Sequence, residues 1–214
     1  GVDKCDWAVV RPPSAARSVY VMTGAANNIA SGRLSYALGL QGPCVTYDTA
    51  CSSALVALHA GLRVLQLAEC ASVLAQGVNL NLSPATHAAF FIAGMASPTG
   101  KSHVFDSHAD GMGRGEACCA VLLQSDGGDH VRVQTLTGAA VRQDGRSSSL
   151  TAPNGVAQQR LYTAAMKDAS VLPSEIAYYE AHGTGTRLGD PIEAGSIRAA
   201  VVDPGLIGDA TASI

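Results

Sequence analysis

Short apolar runs alternate with longer segments of helical periodicity along the whole sequence, and glycine or proline stands at most of the changes. That alternation restricts the chain to α/β architectures with a largely parallel or mixed sheet. Residues 19–22, 44–47, 72–82, 121–123, 131–141 and 176–181 read as strands. Helical spacing covers 29–40 with Gly39 as its stop, 51–68, a segment opened by Ser83 and Pro84, 157–169 after Asn154-Gly155, and 191–202 with Pro191 in its first turn. The 51–68 segment is apolar on nearly every face, so burial is expected. Ser125-Asp126-Gly127-Gly128-Asp129 is the one linker-like stretch, dividing the chain into 1–125 and 130–214.

Composition narrows the function classes. With 47% hydrophobic and 14% charged residues, the 214-residue chain has material for a core and no disordered bias. A formal net charge of -3, with Lys and Arg scattered, argues against a nucleic-acid partner. Only 5% aromatic residues stand against 23 glycines, which implies an interior of small side chains and close backbone approach. No long apolar run and no basic-then-apolar leader occurs, so neither a membrane span nor secretion is expected, and the cytoplasm is the expected location. The chain opens on Gly1 and stops at Ile214 with a strand-like segment barely begun, so both ends are expected to be cut.

Six cysteines (Cys5, Cys44, Cys51, Cys70, Cys118 and Cys119) include no CxxC pair and no His at zinc-finger spacing, so no metal site is expected. Cys51 stands apart. In Val45-Thr46-Tyr47-Asp48-Thr49-Ala50-Cys51-Ser52-Ser53, a strand ends, small residues permit a sharp turn, and Cys51 falls at the start of a helix. Backbone amides and the helix dipole there favour a thiolate, and a neighbouring amide can stabilise an oxyanion. The plainer alternative is a buried structural thiol. A second constellation is Glu180-Ala181-His182-Gly183-Thr184-Gly185-Thr186-Arg187-Leu188-Gly189-Asp190-Pro191, between a strand and a helix. Its glycines let backbone approach a ligand, its hydroxyls suit an amide-rich one, and a His at a strand end is placed for catalysis. The alternative is a simple connecting turn in which His182 caps or packs.

Asp48-Thr-Ala-Cys-Ser-Ser-Ala-Leu-Val-Ala-Leu-His59 and Glu180-Ala-His-Gly-Thr-Gly-Thr-Arg-Leu-Gly-Asp-Pro-Ile-Glu193 resemble the two signatures of β-ketoacyl synthases, specifically the ketosynthase domains of type I or modular polyketide synthases. Ser31-Gly-Arg-Leu-Ser-Tyr36, Phe105-Asp106, Ala109-Asp-Gly111, Gln143-Asp-Gly-Arg-Ser147 and Leu150-Thr-Ala-Pro-Asn-Gly155 agree in order and spacing, so the resemblance spans nearly the whole chain.

The resemblance implies a thiolase-like αβαβα layered sandwich, incomplete at both ends, with 1–125 in the N-terminal half and 130–214 opening the C-terminal half. It implies that Cys51 accepts an acyl chain from the phosphopantetheine arm of an acyl carrier protein, and that a malonyl-type extender loses CO2 and attacks that thioester. On the same basis His182 stabilises the enolate as a neutral imidazole, Thr184 and Thr186 contact the pantetheine arm, and the Cys51 amide is the oxyanion donor. No covalently bound cofactor is implied. The implied partners are the carrier protein, other polyketide synthase domains in cis, and a second copy once the domain is complete. His59, His87, His103, His108 and His130 match no catalytic position.

The family's second catalytic His lies in a Lys-x-Asn-Ile-Gly-His motif just past this region, and the alignment puts Thr211 at the Lys and Ser213 at the Asn. The alternatives at that point are impaired decarboxylation, a tolerated variation, or an error in the terminal sequence. A fatty-acid synthase condensing domain and a non-elongating relative that binds or gates acyl chains are the competing functions. The 214-residue piece alone is expected to be inactive and to fold poorly, because sheet edges and helix faces are left uncovered.

Overall fold

A computed structural model describes residues 2, 6–125 and 134–204. The chain divides into two compact units, Gly1–Ala89 with Gly115–Arg132, and Phe90–Arg114 with Val133–Ile214.

The first unit is built on an antiparallel pair, β1 (Ser72–Asn79) and β2 (Ala117–Gln124), in register from Ser72 opposite Gln124 to Asn79 opposite Ala117. A single parallel bridge adds Val2 beside Val78. Four α-helices precede this pair among the described residues, the first three being α1 (Asp6–Val10), α2 (Val21–Ala25) and α3 (Ile29–Leu38). Gly39 ends α3 in the left-handed conformation at φ 68°, as its position in the sequence predicts. Next comes α4 (Ser53–Gln66), which lies on β1 through small residues. A Cβ on Gly61 would come within 2.8 Å of Val73, and one on Gly77 within 2.8 Å of Ala54. These two glycines are what let helix and strand approach so closely.

α5 (Pro84–Ile92) follows β1 and is held at its start from far away in sequence. The buried Asp6 carboxylate accepts the Leu82 and Ser83 amides at 3.1 and 2.9 Å and the Thr86 hydroxyl at 2.8 Å. The Ser83 hydroxyl accepts the Thr86 amide at 3.4 Å as a local cap, and Asp6 holds the residues that lead into it.

The second unit holds α6 (Gly155–Ala169) and α7 (Gly189–Ile197), the latter running on into a wider π-helical turn, Arg198–Val202. The Asn154 side chain caps α6 by accepting the Val156 and Ala157 amides at 3.1 and 3.2 Å. The hydroxyl of Ser196, 1% exposed, ties the helices together 3.1 Å from the Gly155 carbonyl and 2.7 Å from that of Ile192. Tyr162 on α6 meets Tyr179 edge to face, centroids 5.5 Å apart. No helix among the described residues is long and apolar enough to cross a membrane.

Several sequence expectations need correction. Residues 19–22 enter α2, because the Val21 and Gly24 amides close on the Ser18 and Tyr20 carbonyls instead of a neighbouring strand. Among the described residues, 44–47 and 176–181 pair in no ladder, and the Tyr47 carbonyl accepts the Val2 amide at 3.0 Å. Extended backbone becomes strand only where a partner lies alongside it. Residues 134–141 form no strand either: the Ala139 amide donates to Asp168 at 2.9 Å, and the run docks on the end of α6. Residues 131–133, like Cys5, His130, Thr211, Ser213 and most of the linker-like stretch, lie outside the described residues. Finally, α4 is buried only at Ser53 and Gly61. It packs on β1 along one side, while Leu55 is 69% exposed.

Candidate active site

Cys51 stands at an elbow immediately before Ser52, the N-cap of α4, and is exposed. The elbow turns at Ala50, whose φ of 53° is left-handed, a conformation that residues with a Cβ adopt at a cost of about 1–2 kcal/mol. Hydroxyls strap it in place. The Ser53 side chain, 4% exposed, accepts the Thr49 amide at 2.7 Å and donates to the Ala50 carbonyl at 2.7 Å. The Thr49 and Ser52 hydroxyls meet at 2.8 Å, and the Asp48 carboxylate accepts the Ala50 amide at 3.3 Å. Every one of these bonds spans at most four residues. A sharp, locally braced turn before a helix offers a thiol to solvent at the positive end of the dipole.

His182 belongs to the second unit and opens the turn leading into α7. Two buried carboxylates of that helix hold the turn. Glu193 accepts the His182 amide at 2.6 Å through one oxygen and the Gly183 amide at 2.8 Å through the other. Asp190, 3% exposed, accepts the Gly185 and Thr186 amides at 3.0 and 3.2 Å through Oδ1 and the Phe105 amide at 2.8 Å through Oδ2. Gly183 and Gly185 take φ of 50° and 70°, and neither has room for a side chain: a Cβ would lie 2.7 Å from Val104 and 3.1 Å from the His103 amide. The glycines predicted to allow backbone approach therefore do so against residues 102–105 of the same unit.

Thr184 and Thr186 come together on this turn, their hydroxyls 3.0 Å apart. Thr184 also lies 3.4 Å from Asp190, and Thr186 accepts the Gly189 amide at 3.2 Å. Thr186 also lines a cavity of about 340 Å³ with Phe105, Ala109, Pro191 and Ala194 among its walls. Asp106, on its rim, is held below the usual carboxylate range, first by the His108 amide and then by the His108 ring at 2.7 Å. Near the turn, burial raises the Tyr162 and Tyr179 hydroxyls, and the Glu193 charge adds to the effect. Among the described residues no His, Cys, Asp or Glu cluster could hold a metal ion.

Sequence reasoning assigns no role to Asp190, Glu193 or Phe105. For the carboxylates a signal exists: two acids three apart at the start of a helix that directly follows a glycine-rich turn, where orphan amides collect. Nothing in the sequence points to Phe105 as a neighbour of residues 183–190.

Solved structures share this architecture. The ketosynthase from module 6 of the bacillaene synthase of Bacillus subtilis 168 matches with a TM-score of 0.77 and 33% identity over 86% of this chain and 34% of that one. The oxazolomycin ketosynthase domain OzmH KS7 of Streptomyces albus JA3453 matches at 0.79 and 33% over 83% and 31%. The chain is thus of the α/β thiolase-like class expected from the sequence. It belongs to the beta-ketoacyl synthase family, with residues 6–129 matching the N-terminal domain and 133–206 the C-terminal domain. Similar curated proteins are polyketide synthases. Two components of the phenolphthiocerol/phthiocerol polyketide synthase of Mycobacterium tuberculosis are similar to it, one 50% identical over 80% of this chain and 9% of its own length, the other 45% identical over 93% and 11%. GfsA of Streptomyces halstedii is 47% identical over 84% and 2%. The chain therefore spans about a tenth or less of these relatives and about a third of the ketosynthase structures.

Proposed function

We propose that the chain carries the acyl-accepting and extender-activating groups of a polyketide-type β-ketoacyl synthase, divided between an N-terminal half over 1–125 and the opening of a C-terminal half from 130. The observation that supports this most directly is the Cys51 elbow: an exposed thiol directly before the N-cap of α4, in a chain of this family. In this reading the Cys51 thiolate attacks the thioester carbonyl of an acyl chain on the phosphopantetheine arm of a carrier protein. The carbon–sulfur bond to the arm breaks, the acyl group moves to Sγ, and the arm leaves as a thiol.

A malonyl-type extender on a second arm then loses CO2. The electron pair of the broken carbon–carbon bond becomes an enolate, whose carbon attacks the Cys51 thioester and expels the thiolate. His182, whose backbone Glu193 fixes, hydrogen-bonds the enolate oxygen as a neutral imidazole. A hydroxyl has one proton and two acceptor sites, so the paired Thr184 and Thr186 retain capacity for the amides of the arm. Carrier protein, further synthase domains and a second copy of the chain are the partners this reading implies.

The test is made on the full-length protein with an acylated carrier protein. The peptide containing Cys51 is expected to gain the mass of the acyl group, and Cys51→Ala is expected to abolish both that gain and condensation. A Cys51 peptide that never gains mass overturns the reading. Alkylation has to be mapped by peptide, because exposed Cys44 is also activated: hydrogen bonds first from Ser31 and then from Ser35 lower its pKa. Thr211, at the position aligned with the family Lys, favours a second reading in which the acyl chain is accepted but not extended. Acylation of Cys51 without decarboxylation of malonyl carrier protein would select it.

A further inference from the structure

Phe105 adopts φ 54°, a left-handed conformation that is unusual for a bulky aromatic residue and is found mainly where the surroundings enforce it. Phe105 is the third residue of the turn that the Asp106 amide closes on the His103 carbonyl at 3.4 Å, and two further features of the second unit bear on it. Its amide is held by Asp190 at 2.8 Å, the same buried carboxylate that gathers the Gly185 and Thr186 amides. Its ring, 50% exposed, borders Gly183 beside Val104: a Cβ on that glycine would be 2.7 Å from the Val104 side chain and 3.9 Å from Phe105 Cε2. The ring also forms one wall of the cavity lined by Thr186 and Pro191. The residue is thus tied at its backbone, through Asp190, to one end of the 182–186 turn, while its ring borders the other.

We infer that Phe105 is a positioning residue that fixes the His182–Gly183 backbone, and so the imidazole, for the extender half-reaction. This rests on the reading of His182 given above.

Glycine occupies left-handed φ freely, so Phe105→Gly separates the two roles. In the full-length protein, the variant is expected to melt no lower than a typical large-to-small substitution, while decarboxylation of malonyl carrier protein falls about tenfold or more and Cys51 acylation stays within about twofold. Phe105→Tyr, which keeps the ring, is expected to restore decarboxylation. Phe105→Leu, which keeps bulk but not the planar edge, should fall between them and decides the matter if the glycine variant does not fold. Parallel loss of both half-reactions, or unchanged decarboxylation in Phe105→Gly or Phe105→Leu, overturns the inference. A wild-type protein that fails to acylate Cys51 overturns the functional reading instead, and the two failures are distinguishable because acylation does not involve His182.

Discussion

The elbow at Cys51 and the turn at His182 are both short, both precede a helix and both use left-handed backbone, yet they are held in opposite ways. The elbow is braced by hydroxyls within four residues of one another, so its geometry is written almost entirely in Asp48-Thr49-Ala50-Cys51-Ser52-Ser53. The turn is held by the buried carboxylates Asp190 and Glu193 and by residues 102–105, with Phe105 standing 85 positions away from Asp190. Local bracing survives loss of tertiary structure better than a scaffold that must first be assembled. A thiol can therefore be presented by a short motif, whereas the turn that carries His182 is fixed by the packed unit around it.

Removing the acceptor at the centre of the second arrangement should have the largest effect. Asp190→Ala leaves three amides, that of Gly185 buried, without their carboxylate and is expected to cost about 2–5 kcal/mol in stability, measured by thermal or denaturant melting of the full-length protein. A loss below about 1 kcal/mol would dissolve the contrast between the two sites. Ser53→Ala is the counterpart at the elbow and should cost only about 1 kcal/mol, because neighbouring hydroxyls and the carboxylate of Asp48 remain. Its sharper signature is a slower acylation of Cys51 at nearly unchanged melting temperature.

The smallest effect is confined to the alkaline limb. Burial, then the hydrogen bond with Tyr162, then the charges of Tyr162 and Glu193 raise the Tyr179 hydroxyl well above its ordinary value near 10. A group whose folded pKa is raised contributes stability that is full below the unfolded value and is lost as pH climbs past it. Stability should therefore decline above about pH 10, and Tyr179→Phe should flatten that decline. The check is a pH series of melts followed by tyrosinate absorbance, which should reveal tyrosines that ionise later than exposed ones.

How much of this is legible in the sequence follows the same division. The helices α3, α4, α5 and α6 and the strand β1 are readable because each carries its own period and its own stop or cap, Gly39 and Asn154 being the clearest. Cys51 at its turn and the Gly-Thr turn of His182 are readable for the same reason. Residues 44–47 and 176–181 mislead because β-rich composition does not say whether a partner strand lies alongside, and none does among the described residues. The burial expected of α4 is too great because periodicity reports which faces are apolar and not what covers them. Phe105 lies beyond reach altogether, since its importance depends on a carboxylate 85 residues later.

Asp6 extends the contrast into time. By holding the start of α5 from far away in sequence, it makes that contact wait for a large loop to close. The entry to α5 and the first turn of α1 are thus held by one carboxylate across 76 to 80 positions, and a contact of that kind acts on the unfolding rate wherever it forms after the folding transition state.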